Sequence, residues 1–193
     1  MTEQLVAKQE FRWSFQKKGT QVLNVCTRML LLFGFTAGLM VSASTSALAN
    51  PADGVVTAGA ATITSTASEL QINQSTASAI IDWKSFDIAA GETTRFIQPS
   101  SSAVALNRVV NSTQLSAING SLLANGRVFV INPNGVLIGG GAHVATAGFI
   151  ATTADIANDA FMNSTGAYEF NVEGSQNASV VNNGRITVQD TGL

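Results

Sequence analysis

The chain has 193 residues, with a hydrophobic fraction of 46%, a charged fraction of 11% and a formal net charge of −2. That composition fits one domain with a short appendage and excludes a disordered chain or a basic nucleic-acid-binding module. A single Cys and a single His exclude a disulfide scaffold, a Cys-based zinc cluster and most His-rich metal sites.

The two ends of the chain differ in kind. Residues 1–49 carry five basic residues against two acidic ones, a net of +3, whereas residues 50–193 carry five against ten, a net of −5. Residues 29–41 form an apolar run that follows a basic stretch and is too short for a comfortable membrane span, which needs about 20 residues. Ala47-Leu48-Ala49 supplies the small-x-small pattern of a signal peptidase site. Residues 1–49 are therefore predicted to be an extended, helical signal peptide, cleaved after Ala49 to leave Asn50-Pro51 as the mature start. Sec machinery and signal peptidase are the partners of that step. Cys26 leaves with the leader, and the remaining chain has no Cys. A chain without disulfides stays threadable, which suits passage through a second membrane.

Residues 50–193 show no convincing helical period. Short runs rich in β-branched residues, such as Val128-Phe129-Val130-Ile131, Val136-Leu137-Ile138, Gly148-Phe149-Ile150-Ala151 and Arg185-Ile186-Thr187-Val188, predict strands. Asn-Gly at 119–120, 125–126, 134–135 and 183–184 predicts tight corners, because both residues tolerate positive φ. Strands of three to five residues between Ile118 and Ile150 lie closer together than the rhythm of an antiparallel sandwich. The polar residues are mostly Asn, Ser and Thr, and Lys84 is the one Lys after residue 49. Uncharged polar residues stack without repulsion at a repeat of about 4.8 Å. These patterns favour a parallel β-helix and leave the sandwich open.

Residues 106–156 carry a more specific signal. In order stand Asn107-Arg108-Val109, Ile118-Asn119-Gly120, Asn125-Gly126 with Val128-Phe129, then Ile131-Asn132-Pro133-Asn134-Gly135-Val136 and Gly148-Phe149-Ile150-Ala151-Thr152-Thr153. Phe161 and Phe170 follow, and Val181-Asn182-Asn183-Gly184-Arg185-Ile186 starts a further coil. From about Val55 to Val188 the chain resembles the haemagglutination-activity domain of two-partner-secreted exoproteins, the filamentous haemagglutinin group. The upstream N-P-N-L tetrapeptide of some members is missing here, so the chain looks closer to the high-molecular-weight adhesin and haem-scavenging branch.

The resemblance implies a right-handed parallel β-helix with N-terminal capping strands over residues 50–193. It also implies a secretion-directing role, recognised by an outer-membrane TpsB-type β-barrel transporter with POTRA domains. The product would be secreted or displayed on a Gram-negative cell surface. An adhesin passenger would meet host glycans or cell surfaces, and the chain's last strand-like run, with no cap after it, reads as the front of a longer exoprotein or a truncated product.

In physical terms, Pro133 stops strand pairing and Asn134-Gly135 reverses the chain, with Asn132 or Asn134 bonding backbone in the turn. Asn132, Pro133, Asn134 and Gly135 are thus a structural turn, a transporter-recognition motif, or both. Asn107, Arg108, Val109, Asn119 and Gly120 support them. No catalytic residue, cofactor or metal is expected. Gly139-Gly140-Gly141 lacks the Lys-Ser/Thr of a phosphate loop and reads as a corner. His143 reads as a surface residue, and most aromatics as core, with Trp83 the candidate for a contact with the cap. A β-helical glycan-active enzyme would need an acidic cleft assembled across coils, for which Asp155, Asp159, Glu169 and Glu173 are the candidates. A stand-alone adhesive module is the other alternative.

Overall fold

The computed structural model describes residues 50–189. The predicted leader, with Ala47 and Ala49, lies outside the described residues. Among the described residues, fourteen strands dominate. They are β1 (Val55–Ala58), β2 (Ala61–Ser65), β3 (Glu69–Gln74), β4 (Ser78–Trp83), β5 (Thr93–Ile97), β6 (Val104–Val109), β7 (Ser116–Ile118), β8 (Ser121–Ala124), β9 (Arg127–Ile131), β10 (Val136–Ile138), β11 (His143–Thr146), β12 (Gly148–Thr152), β13 (Val180–Asn182) and β14 (Arg185–Val188). One short helix, α1 (Asn158–Met162), interrupts them.

The strands form three sheets, ordered β1-β4-β6-β9-β12, β13-β10-β7 and β14-β11-β8-β5-β3-β2. Every pairing from β3 onward is parallel, and each strand lies beside the corresponding strand of the next coil, as in Leu106 beside Phe129 and Phe129 beside Ile150. This is a parallel β-helix, as the resemblance implies, and the sandwich is excluded. Successive Asn-Gly pairs send the chain from one sheet to the next instead of folding it back as a hairpin. β1 and β2 pair antiparallel with β4 and β3, and so cap the first coil, as expected.

The interior is sealed by alternate residues of all three sheets, including Ile72, Ile81, Trp83, Phe96, Ile118, Leu122, Val130 and Val144, with Phe86 from the β4–β5 connection. Trp83 meets the cap: a Cβ at Gly54 would overlap its ring, and Phe86 packs edge-on at 5.9 Å. The sheet containing β4, β6 and β9 is also covered on its outer face. There Ile80, Leu106, Phe129 and Ile131 pack against Ile156 and Phe161 of the segment between β12 and β13. A sheet buried on both sides needs apolar residues at consecutive positions. That explains why Val128–Ile131 is apolar throughout.

One expectation about the corners needs correction. Of the four Asn-Gly glycines, Gly135 has a positive φ, +120°, while Gly120, Gly126 and Gly184 do not. The turn at Gly120 needs glycine for a different reason. A Cβ there would collide with the carbonyl oxygens of Ala89 and Glu92 and come within 2.8 Å of Ile88 Cγ2. The preceding coil passes too close for any side chain.

Candidate functional site

The Asn132–Gly135 corner joins β9 to β10. The Gly135 N–H donates to the Asn132 carbonyl at 3.0 Å, closing a four-residue turn. The Asn134 N–H donates to the Asn132 side-chain carbonyl at 2.9 Å, so Asn132 caps its own turn. Asn132 is 1% exposed, and its amide donates to the Gln114 carbonyl and to Ser116 Oγ, both at 3.0 Å. Asn134 is half-buried and donates to the Ser112 carbonyl at 2.8 Å. From the other side, the Ser175 N–H donates to the Pro133 carbonyl at 2.9 Å, and Ser175 Oγ to Asn134 Oδ1 at 3.3 Å. Asn132 is therefore a structural residue of the corner. Asn134 is the member of the pair that reaches the surface.

Asn107 and Arg108 sit side by side on β6 and point to opposite faces. Asn107 is fully buried: its carbonyl accepts from Trp83 Nε1 at 3.0 Å, and its amide donates to the Phe129 carbonyl at 3.2 Å. Arg108 lies on the outer face. Its Nε stands 2.9 and 2.8 Å from the two Asp155 carboxylate oxygens. One terminal nitrogen donates to Asn158 Oδ1 at 2.9 Å and reaches Asp82 at 3.4 Å, and the other donates to the Ile156 carbonyl at 2.8 Å. Val109 is core. Asn119 is exposed at its corner, with its side-chain carbonyl against Gly139, and Gly120 is buried. Asn50 Oδ1 accepts from Thr94 Oγ1 at 3.0 Å, which ties the expected mature start to β5.

The acid candidates do not converge. Asp155 is held by Arg108, while Asp159, Glu169 and Glu173 are exposed. Among the described residues, no three His, Cys, Asp or Glu side chains come together as a metal-binding group. Gly139–Gly141 is a corner, with the Ala142 N–H donating to the Gly139 carbonyl at 3.0 Å, and His143 is exposed.

Sequence reasoning missed two features. One is the Arg108 cluster, which joins residues 47 positions apart. The other is Tyr168, whose ring packs edge-on to Phe129 at 4.9 Å and lies 5.5 Å from Phe161. Phe161 and Phe170 each stand 6.2 Å from Phe129, so with Tyr168 they form a four-ring cluster. Arg108 was visible as a lone charge in an apolar strand, but its partner was not.

Residues 47–193 match the TPS secretion domain family. The chain belongs to that family. The TPS secretion domain here is similar to the crystal structure of the HMW1 secretion domain from Haemophilus influenzae, with a TM-score of 0.64 and 37% identity, over 72% of this chain and 37% of that one. It is also similar to two heme/hemopexin-binding proteins of Haemophilus influenzae. One is 44% identical over 54% of this chain, and the other, from strain KW20 / Rd, is 38% identical over 69%. The chain spans 11% and 14% of the length of those two relatives. The resemblance read from the sequence is borne out, and with it the β-helical fold and the role of a secretion-directing domain of a two-partner-secreted protein.

Proposed function

We propose that this TPS domain is the address read by a TpsB-type outer-membrane transporter, whose POTRA domains take the mature chain in extended form before it winds into coils outside the cell. The observation that carries this reading is the polarity of the fold. Antiparallel β1 and β2 close the first coil, and each later coil needs only the one before it as a template. A stack of that kind propagates from one end by nearest-neighbour contacts, so a chain emerging N-terminus first can fold as it arrives. An extended segment adds to a sheet edge through main-chain hydrogen bonds, which suits a periplasmic groove that must accept many sequences.

In this reading the leader is cleaved after Ala49 following Sec export, and the product is secreted or held at the cell surface as an adhesin-type exoprotein. The relatives named for heme/hemopexin binding are much longer proteins, of which this chain spans 11% and 14%. The Asn132–Gly135 corner serves both as a turn and as part of the recognised segment.

The test compares Asn132→Ala with Asn134→Ala, scoring secretion in cells and folding of the purified chain. Loss of secretion in Asn134→Ala with normal folding supports recognition. Normal folding and normal export of both variants refute it.

A further inference from the structure

We propose that residues 153–179 form a strap that closes over the Asn132–Gly135 corner and the outer face of the β4-β6-β9 sheet, and that Arg108 is the positioning residue that holds it shut. Closing the strap thereby buries residues that the transporter engages in the extended chain, so the coiled form presents them only when the strap opens. This rests on the transporter reading given above.

Apart from Ser179 at its end, whose carbonyl accepts from the Val136 N–H at 3.0 Å, the strap stands outside the hydrogen-bonded stack. It leaves after β12 and returns at β13, and its one bridge, Asp155 with Val172, ties it to itself. None of the ladders that join β4, β6, β9 and β12 uses a residue from it. The coils can therefore persist while the strap opens, which is the condition for a separate local opening unit.

Ahead of that junction with β10, polar contacts attach it at two places. Arg108 grips its start through Asp155, the Ile156 carbonyl and Asn158. Ser175 grips the corner near its end through the Pro133 carbonyl and Asn134 Oδ1. Between them Ile156 and Phe161 are buried on the sheet, and Tyr168 packs on Phe129. Beyond that cluster the strap is polar and mostly exposed, so its hold depends on few contacts. With the strap open, Arg108 keeps Asp82 as a partner. Leu106, Phe129 and Ile131 would then face outward beside two free acceptors, the Pro133 carbonyl and Asn134 Oδ1. The partner that fits this surface presents hydrogen-bond donors next to apolar seats, as an extended-peptide groove does.

The experiment measures binding of the partner transporter's purified POTRA domains to three forms of the chain: unfolded wild type just diluted from urea, folded wild type, and folded Arg108→Met. Amide exchange is followed in parallel. The expected result is binding by unfolded wild type, at least roughly tenfold weaker binding by folded wild type, and recovery of most of that loss in folded Arg108→Met. Exchange at Val172 and Ser175 should rise by at least about tenfold in the variant while Val128 and Val130 stay protected. Folded Arg108→Met that binds no better than folded wild type overturns the masking role. Unchanged protection at Val172 and Ser175 overturns the latch. Failure of unfolded wild type to bind refutes the transporter reading instead, and the exchange result then still decides whether the latch exists. If Arg108→Met does not fold, Tyr168→Ala loosens the same strap from its other contact and carries the same two readouts.

Discussion

The indole N–H of Trp83 donates to the side-chain carbonyl of Asn107 across two adjacent coils, at 3.0 Å and with both residues sealed from solvent. The same Asn107 amide reaches the Phe129 carbonyl of the coil beyond. One polar side chain thus ties three successive coils in a largely apolar interior, and it does so beneath the cap that Gly54 lays on the Trp83 ring.

Asn107→Leu should accordingly cost about 2–3 kcal/mol in urea unfolding, because the indole N–H is left buried and unpaired. Trp83→Phe removes the donor and should cost less once Asn107 is already Leu than it does in the wild type. Strict additivity of the two substitutions would show that the bond carries no coupling.

The corner glycines make a second, sharper prediction. Gly120→Ala should destabilise by on the order of 2 kcal/mol or more, because the Cβ meets backbone oxygens that cannot retreat without moving a coil. Gly141→Ala, whose nearest neighbour would be the Asn119 carbonyl at an ordinary 3.7 Å, should be nearly silent. Equal denaturation midpoints for the two variants would contradict the close-approach account.

Much of this architecture is legible in the sequence, and the reason is local. The strand runs from Ile118 to Ile150 and the Asn-Gly corners are set by residue choices a few positions apart, and the ordered motifs identify the family. Coil length is harder to read. The register carries Ser116 to Val136 on one sheet but Thr93 to Ser121 on another, so no fixed period emerges. The corners were placed correctly but for an incomplete reason, since positive φ applies only at Gly135 among the four and close packing by a neighbouring coil leaves no local trace. The strap was hidden for a similar reason. Arg108 and Asp155 are brought together by the fold, and Tyr168 gains its role only when Phe129 turns outward beneath it.

Within the turn, Asn132 and Asn134 should separate cleanly in stability. Asn132→Asp keeps the acceptor for the Asn134 N–H but faces the Gln114 carbonyl with a carboxylate, and should cost at least about 2 kcal/mol. Asn134→Ala loses bonds that are partly solvated and should cost under about 1 kcal/mol. Gly135→Ala, strained at φ +120° with the Ser179 carbonyl only 2.9 Å from its Cβ, should cost about 1–3 kcal/mol. Thermal or urea unfolding of the three variants checks the order, and a larger loss in Asn134→Ala than in Asn132→Asp would contradict it.

The aromatic cluster offers an optical handle. Tyr168 is the one tyrosine of the chain, and it packs edge-on to Phe129. Phe129→Leu should alter the tyrosine near-ultraviolet circular dichroism while preserving the far-ultraviolet β signal. Phe129→Ala should destabilise by about 3–5 kcal/mol. An unchanged tyrosine signal in Phe129→Leu would place the strap elsewhere in solution.

The most direct test of the central claim is release of the full chain from Gram-negative cells that express, or lack, its partner transporter. The account predicts folded, protease-resistant chain in the medium or on the surface when the transporter is present, and retention and degradation in the periplasm when it is absent. Equal release from both strains would contradict it.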